Sequence, residues 1–231
     1  MTQPKPQTVE HRWDILYREY PEVYDAFVSF PYDPRPVDIV QREFGLTDAR
    51  VVDVGSGTGR STFAIAEHAA QATGVEPEDA MLRVARDAAR ERRVRNVVFV
   101  KGVKEAIPLP DASMDFLTSF TGGLDVDEAV RVVRAGGVVI SVDVAPGWYG
   151  GDLNAVLGHP TPDLERGSRY LIDERGFSFF DFDSVQQYGS VENLVRTYGF
   201  IHGQRAIDHV RKTGRTWIKW RWRIHYLRKP R

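Results

Sequence analysis

Cysteine is absent from the 231-residue chain, which excludes disulfide frameworks, cysteine-based zinc sites and thiol nucleophiles together. Long apolar runs are also missing. No stretch approaches the ~20 apolar residues that a membrane-spanning helix needs, and the first ten residues hold Pro4 and Pro6 but no apolar core of a secretory leader. The expectation is a soluble, cytoplasmic protein with no membrane partner. An excess of one charge is lacking too: 31 Lys and Arg face 32 Asp and Glu, a net charge of −1, so bulk charge does not make the molecule a polyanion binder. Its distribution is uneven, because Arg205 to Arg231 contains ten Lys or Arg and one acid, Asp208. Such a segment reads as a solvated face or a pocket for an acidic substrate, or else as a nucleic-acid or membrane face.

What is present is ordinary globular composition, long enough for one buried core, so residues 1–231 are expected to form a single domain. Trp13, Leu16, Tyr17, Tyr20, Tyr24 and Phe27 recur at three- and four-residue steps, an amphipathic helix interrupted near Pro21. Pro36 suits the first turn of a short helix ending at about Gly45. Residues 1–46 are thus a helical extension. From Ala49 short strands and helices alternate. The strands are expected at Arg50–Val54, Ala72–Glu76, Asn96–Val100, Met114–Phe120 and Gly137–Val144, with helices at Arg60–Ala70, Asp79–Arg93 and Asp125–Arg134. That rhythm predicts a doubly wound α/β fold, a mostly parallel sheet with helices on both faces, over residues 47–145. Beyond Val144 the regularity weakens. Gly147–Gly167 reads as loops with a short helix near Leu153, followed by a strand at Phe177–Val185 and helices at Ser190–Tyr198 and Gly203–Arg211. In Thr216–Leu227 the residues Ile218, Trp220, Trp222, Ile224 and Tyr226 share one face of a period-two strand. Seven strands result, with residues 146–231 supplying a substrate-side insert and the last strands.

Asp53-Val54-Gly55-Ser56-Gly57-Thr58-Gly59 lies where the first of the alternating strands turns into a helix. A dinucleotide fingerprint needs G-x-G-x-x-G, with its third glycine for close helix packing. Arg60 occupies that place, which sets a dehydrogenase reading last. An acid two positions before the glycines repels a pyrophosphate and suits a ligand bearing an amino group.

The run resembles motif I of the class I S-adenosylmethionine-dependent methyltransferases, and the resemblance extends over Arg50–Asp143. It implies a Rossmann-like methyltransferase fold and S-adenosylmethionine as cofactor. It also implies that Gly55, Ser56, Gly57, Thr58 and Gly59 form the loop approached by the methionine part, and that Asp53 helps to hold its amino group, directly or through water. Glu76, at the end of the second alternating strand, matches the acid that binds the ribose hydroxyls, and Met81 the apolar residue against adenine. Gly102-Val103-Lys104-Glu105-Ala106-Ile107-Pro108-Leu109-Pro110-Asp111 resembles the loop that covers adenine. Val103 stands there where an acid is common and Lys104 where a small residue is. Ser119 belongs to the strand whose end faces the transferred methyl, and Ala129–Gly137 resembles the turn in which glycines close a helix before the next strand. Tyr24-Asp25-Ala26-Phe27 resembles a segment that folds over the cofactor, with Trp13, Tyr17, Tyr20 and Trp148 as candidates for an apolar lid.

The resemblance implies methyl transfer to a small-molecule acceptor, by in-line displacement aided by alignment. Two rivals stand beside it: an RNA methyltransferase using the basic C-terminal face, and a non-catalytic partner protein keeping the cofactor fold. The N-P-P-Y or D-P-P-Y tetrad of adenine and glutamine methylation is missing. His159, His202, His209, His225, Asp125 and Asp127 are candidate bases, none preferred. Lys219, Arg221 and Arg223 are expected to reach solvent, to pair with Asp181 and Asp183, or to bind an anion. A monomer or homodimer is expected, and no metal.

Overall fold

A computed structural model describes residues 9–158 and 162–231; His159 lies outside them. The interrupted amphipathic segment forms two helices, α1 (Val9–Glu19) and α2 (Pro21–Ser29). Pro21 opens α2, where its missing N–H costs nothing. Pro36 likewise opens α3 (Pro36–Phe44), which ends on Gly45.

Eight strands make one sheet: β1 (Tyr32–Asp33), β2 (Arg50–Val54), β3 (Gln71–Glu76), β4 (Val97–Lys101), β5 (Met114–Phe120), β6 (Val133–Val144), β7 (Ser178–Gln187) and β8 (Trp217–Arg228). Their order is β1-β7-β8-β6-β5-β2-β3-β4. Strands β2 to β6 are parallel, while β8, β7 and β1 add on antiparallel. The doubly wound, mostly parallel sheet is as expected, with eight strands rather than seven. The extra strand is Tyr32–Asp33, two residues between Pro31 and Pro34 that pair with Gln186 and Val185.

The intervening helices are α4 (Arg60–Ala66), α5 (Asp79–Glu91) and α6 (Val126–Val132). Alternation along the strands assigns the two faces. Val51, Val138, Ile140, Val142, Trp220 and Trp222 pack on one side with Ile65 of α4. Val52, Val54, Leu117 and Val139 pack on the other with Val126 and Ala129 of α6. In β8, Ile218, Trp220, Trp222 and Ile224 are buried on the first face, as their period of two requires.

The glycines after α6 act differently from expectation. The helix ends at Val132, and β6 starts at once, with Met114 of β5 opposite Val133 but Phe116 opposite Val138. Two steps along β5 therefore match five along β6, so Gly136 and Gly137 form a bulge rather than a helix cap. A Cβ on Gly137 would lie 2.5 Å from the carbonyl oxygen of Asp115, which bars any other residue there.

After β6 a single 3₁₀ turn, Gly151–Leu153, leads into α7 (Asn154–Leu157). Next come α8 (Leu164–Arg169) with a π-type turn through Glu174, α9 (Val191–Leu194) with a similar turn through Gly199, α10 (Phe200–His202) and α11 (Gln204–Thr213). Among the described residues, no helix is long and apolar enough to cross a membrane.

Candidate active site

Two cavities meet at the carboxyl ends of β2, β3, β5 and β6, where open α/β sheets place their ligands. The first, of about 320 Å³, is lined by Gly55, Gly57, Glu76, Met81, Val103 and Lys104 together with Tyr17, Tyr24, Thr121 and Gly122. Its floor is the turn from β2 to α4. Gly55 has φ +74° and a Cβ there would come 3.1 Å from the Cα of Gly122. Only glycine lets these two loops approach so closely. A Cβ on Gly57 would stand 3.5 Å from both Met81 Cε and Tyr24 Cε1, so this glycine keeps open the space between helix and lid.

Glu76 stands at the cavity wall with 6% of its surface exposed. One carboxylate oxygen accepts the N–H of Gly57 at 2.8 Å and the other that of Glu78 at 3.0 Å. Burial raises its pKa and these two backbone bonds oppose the rise. Each oxygen retains a further lone pair for a hydroxyl donor.

Asp53 stands behind the glycine loop. It does not line the cavity, and neither do Ser56, Thr58, Gly59 or Ser119. Alternation turns Asp53 to the face of Val51, onto which α4 packs. There its Oδ2 accepts from Ser61 at 2.6 Å and Thr62 at 2.7 Å, and its Oδ1 from Thr118 at 3.1 Å. The carboxyl is fully enclosed; burial raises its pKa and the three hydroxyls hold it down. Asp53 therefore ties β2, β5 and the first turn of α4 together behind the glycine loop. Ser56 and Thr58 point inward and are buried. Gly59 is a packing position, since its Cβ would lie 2.6 Å from Phe99 Cζ. Ser119 donates to the carbonyl of Gly123 at 3.0 Å and so shapes the loop after β5. The segment 102–111 is anchored from α6: Glu128 accepts the Ile107 N–H at 2.9 Å, and Arg131 donates to the carbonyls of Ile107 and Leu109.

The second cavity, of about 560 Å³, opens from the first at Tyr17, Tyr24, Lys104, Thr121 and Gly122. Trp13, Phe27, Tyr32, Tyr149, Trp220 and Trp222 supply its aromatic wall, Pro162 and Leu164 close another side, and Arg60, Asp143 and His202 are its remaining ionisable groups. Trp13 donates its indole N–H to the Tyr149 hydroxyl at 2.9 Å, pinning α1 to the insert. Tyr17 and Tyr24 meet edge to face at 5.1 Å. Of the four aromatics expected at a lid, Trp13 and Tyr17 line this cavity. Tyr20 instead packs edge to face on Phe200, and Trp148 on the guanidinium of Arg221.

Among the described residues, His202 is the one candidate base that reaches this cavity. His225 is buried under α8 against Ser168 at 2.8 Å, Asp125 caps α6, Asp127 pairs with Arg175, and His209 lies along α11. Asp143 was not singled out from sequence. Its signal is there all the same: Ser141 and Asp143 interrupt, at a step of two, the apolar run at the carboxyl end of β6. The basic stripe of β8 resolves to pairing. Lys219 and Arg221 bind Asp183 at 2.8 and 2.7 Å, and Arg223 binds Asp181 at 2.7 Å. Two acids thus offset two of the three charges on the stripe that the RNA reading invoked.

Residues 51–137 match the family described as a methyltransferase domain. A curated relative, the ubiquinone/menaquinone biosynthesis C-methyltransferase of Methylobacterium nodulans, is 38% identical over 180 residues, covering 66% of each chain. An uncharacterized methyltransferase, YcgJ of Bacillus subtilis, is 37% identical over 87 residues, 36% of this chain and 34% of that protein. The chain therefore spans about two thirds or less of the length of these relatives. Among solved structures, the [4+2]-cyclase SpnF superposes over 100% of this chain and 99% of its own with a TM-score of 0.63 at 20% identity, a likeness of fold. The chain belongs to the class I S-adenosylmethionine-dependent methyltransferase family.

Proposed function

We propose that this protein transfers a methyl group from S-adenosylmethionine to a small, largely apolar acceptor. The observation that carries the proposal is the junction of two cavities, one polar and glycine-floored, the other aromatic, at Tyr17, Tyr24, Lys104, Thr121 and Gly122. Both volumes fall in the range of small-molecule sites. In the first cavity, Glu76 would accept the ribose hydroxyls, Met81 would pack on the adenine, and the backbone of Gly55 and Gly57 would adjoin the methionine part. Val103 and Lys104 would flank the base. Asp53 would act as a positioning residue for the loop. When bound, the cofactor supplies a sulfonium methyl. The chain's own contribution is to align the acceptor, exclude water with the α1–α2 lid and set the charge around the junction. The C-methyltransferase named above supports a ring-bearing acceptor, as does the aromatic wall.

Calorimetric titration with S-adenosylhomocysteine tests the reading. We expect saturable binding, weakened in Glu76→Ala by roughly 1.5–3 kcal/mol, the usual worth of hydrogen bonds to a charged group. Folded wild-type protein that fails to bind overturns it.

A further inference from the structure

Asp143 is an acid without a counter-charge. Its cross-strand neighbour on β8 is Arg223, which is committed to Asp181 at 2.7 Å. Asp143 forms no salt bridge among the described residues, and its one hydrogen-bond donor is Ser141, 2.6 Å from Oδ2. That leaves Oδ1 for a ligand. The residue is half-buried and stands in the wall of the aromatic cavity, beside Val144 and one residue beyond the Val142 carbonyl that holds Thr121 at the junction. An unpaired acid in a closed cleft is a functional-site signal.

The rest of the wall narrows the acceptor. Trp13, Trp220 and Trp222 make part of this wall aromatic, which suits a planar ring. Arg60 and Lys104 are positive, and Arg60 has no acidic partner among the described residues, its guanidinium lying 5.5 Å from the Tyr32 ring centre. Lys104 has Glu105 at 3.9 Å, so the unpaired Arg60 is the charge that disfavours an ammonium-bearing acceptor and favours an oxygen on which negative charge develops. A carboxylate beside Asp143 would meet like charge. A neutral hydroxyl satisfies both.

We propose that Asp143 is a catalytic residue which takes the proton from a hydroxyl group on a planar aromatic acceptor held in this cavity. The inference rests on the methyltransferase reading above. The acceptor's O–H bond breaks, the proton joins a carboxylate oxygen of Asp143, and the electron pair stays on the acceptor oxygen, which becomes the stronger nucleophile. The carboxylic acid formed on Asp143 returns its proton to solvent when the product leaves. Burial raises the pKa of Asp143, against which only Ser141 acts; a more basic carboxylate is a better proton acceptor.

The test uses the full chain saturated with S-adenosylhomocysteine and three naphthalene probes: 2-naphthol, 2-methoxynaphthalene and 2-naphthylmethylamine. Binding is followed by fluorescence in wild type and in Asp143→Asn, whose amide oxygen still accepts from Ser141. We expect wild type to prefer 2-naphthol over the ether by tenfold or more. Asp143→Asn should lose that preference while retaining its affinity for the ether and for S-adenosylhomocysteine. Equal binding of naphthol and ether by wild type, or a preference that survives in Asp143→Asn, overturns the proposal and leaves the cofactor reading intact. So does tighter binding of the amine than of naphthol, which would make Asp143 a cation anchor. Failure of wild type to bind S-adenosylhomocysteine overturns the reading beneath it, and the proposal with it.

Discussion

Replacing Asp53 by Ala separates a brace from a ligand. In the wild type its carboxylate collects three hydroxyl donors at 2.6, 2.7 and 3.1 Å. Ser61, Thr62 and Thr118 are themselves 6%, 0% and 0% exposed, so water cannot readily take its place. Hydrogen bonds to a charged acceptor are worth about 1.5–3 kcal/mol each. Against their loss stands the cost of keeping a carboxylate buried, several kcal/mol, which the substitution recovers. Thr118 also has the Val52 carbonyl at 3.4 Å, and the two helical hydroxyls can rotate toward backbone carbonyls one turn back. The net loss should be ~2–4 kcal/mol. For a chain of this size each kcal/mol lowers the unfolding midpoint by roughly 2–4 °C, so a fall of about 5–15 °C is expected. Circular dichroism of the ligand-free protein measures it, with an S-adenosylhomocysteine titration run well below the new midpoint. An unchanged midpoint combined with a hundredfold weaker titration would refute the brace and restore Asp53 as a direct cofactor contact.

Two further outcomes test the surrounding fold. Burial, helped by the nearby positive Arg223 and opposed by Asp181, lowers the pKa of His225 from 6.5 to about 4. The unfolded chain then binds a proton that the folded chain refuses. Stability should accordingly be full above pH 6.5 and decline as the pH falls toward 4, by up to ~3 kcal/mol. Urea midpoints across that range should show the slope in wild type and lose it in His225→Gln. Gly59→Ala should cost roughly 2–4 kcal/mol, because φ is +92° and the new Cβ would meet Phe99 at 2.6 Å and Phe63 at 2.9 Å. Gly45→Ala, with φ +71° and open space around it, should cost only about 1 kcal/mol in the same denaturant titration.

The strands were legible where composition and period agree. Arg50–Val54 and Met114–Phe120 fall on the expected residues, and β8 buries the face that its alternation marks. Elsewhere local signals mislead for physical reasons. Gly136-Gly137 looks like a helix stop, yet the segment bulges within β6, because a glycine pair serves either end and pairing with β5 decides. Leu164–Arg169 sits in Gly-, Pro- and Asp-rich surroundings that read as loop, and its helix is capped by Asp163, which accepts the N–H of Arg166. The motif at Asp53–Gly59 located the cavity but not the direction of each side chain. That direction depends on the strand's pleat and on which face α4 covers. Asp143 escaped notice for a related reason: its isolation becomes visible only once Arg223 is seen to bind Asp181 across the sheet.

The contact between Trp13 and Tyr149 has a kinetic corollary. Tyr17 and Tyr24 wall both cavities, so one helical roof stands over the space for the cofactor and the space for the acceptor. A movement of α1 and α2 would therefore uncover both spaces together rather than one at a time. The indole N–H of Trp13 and the phenol oxygen of Tyr149, 2.9 Å apart, are one tie that such a movement would have to break.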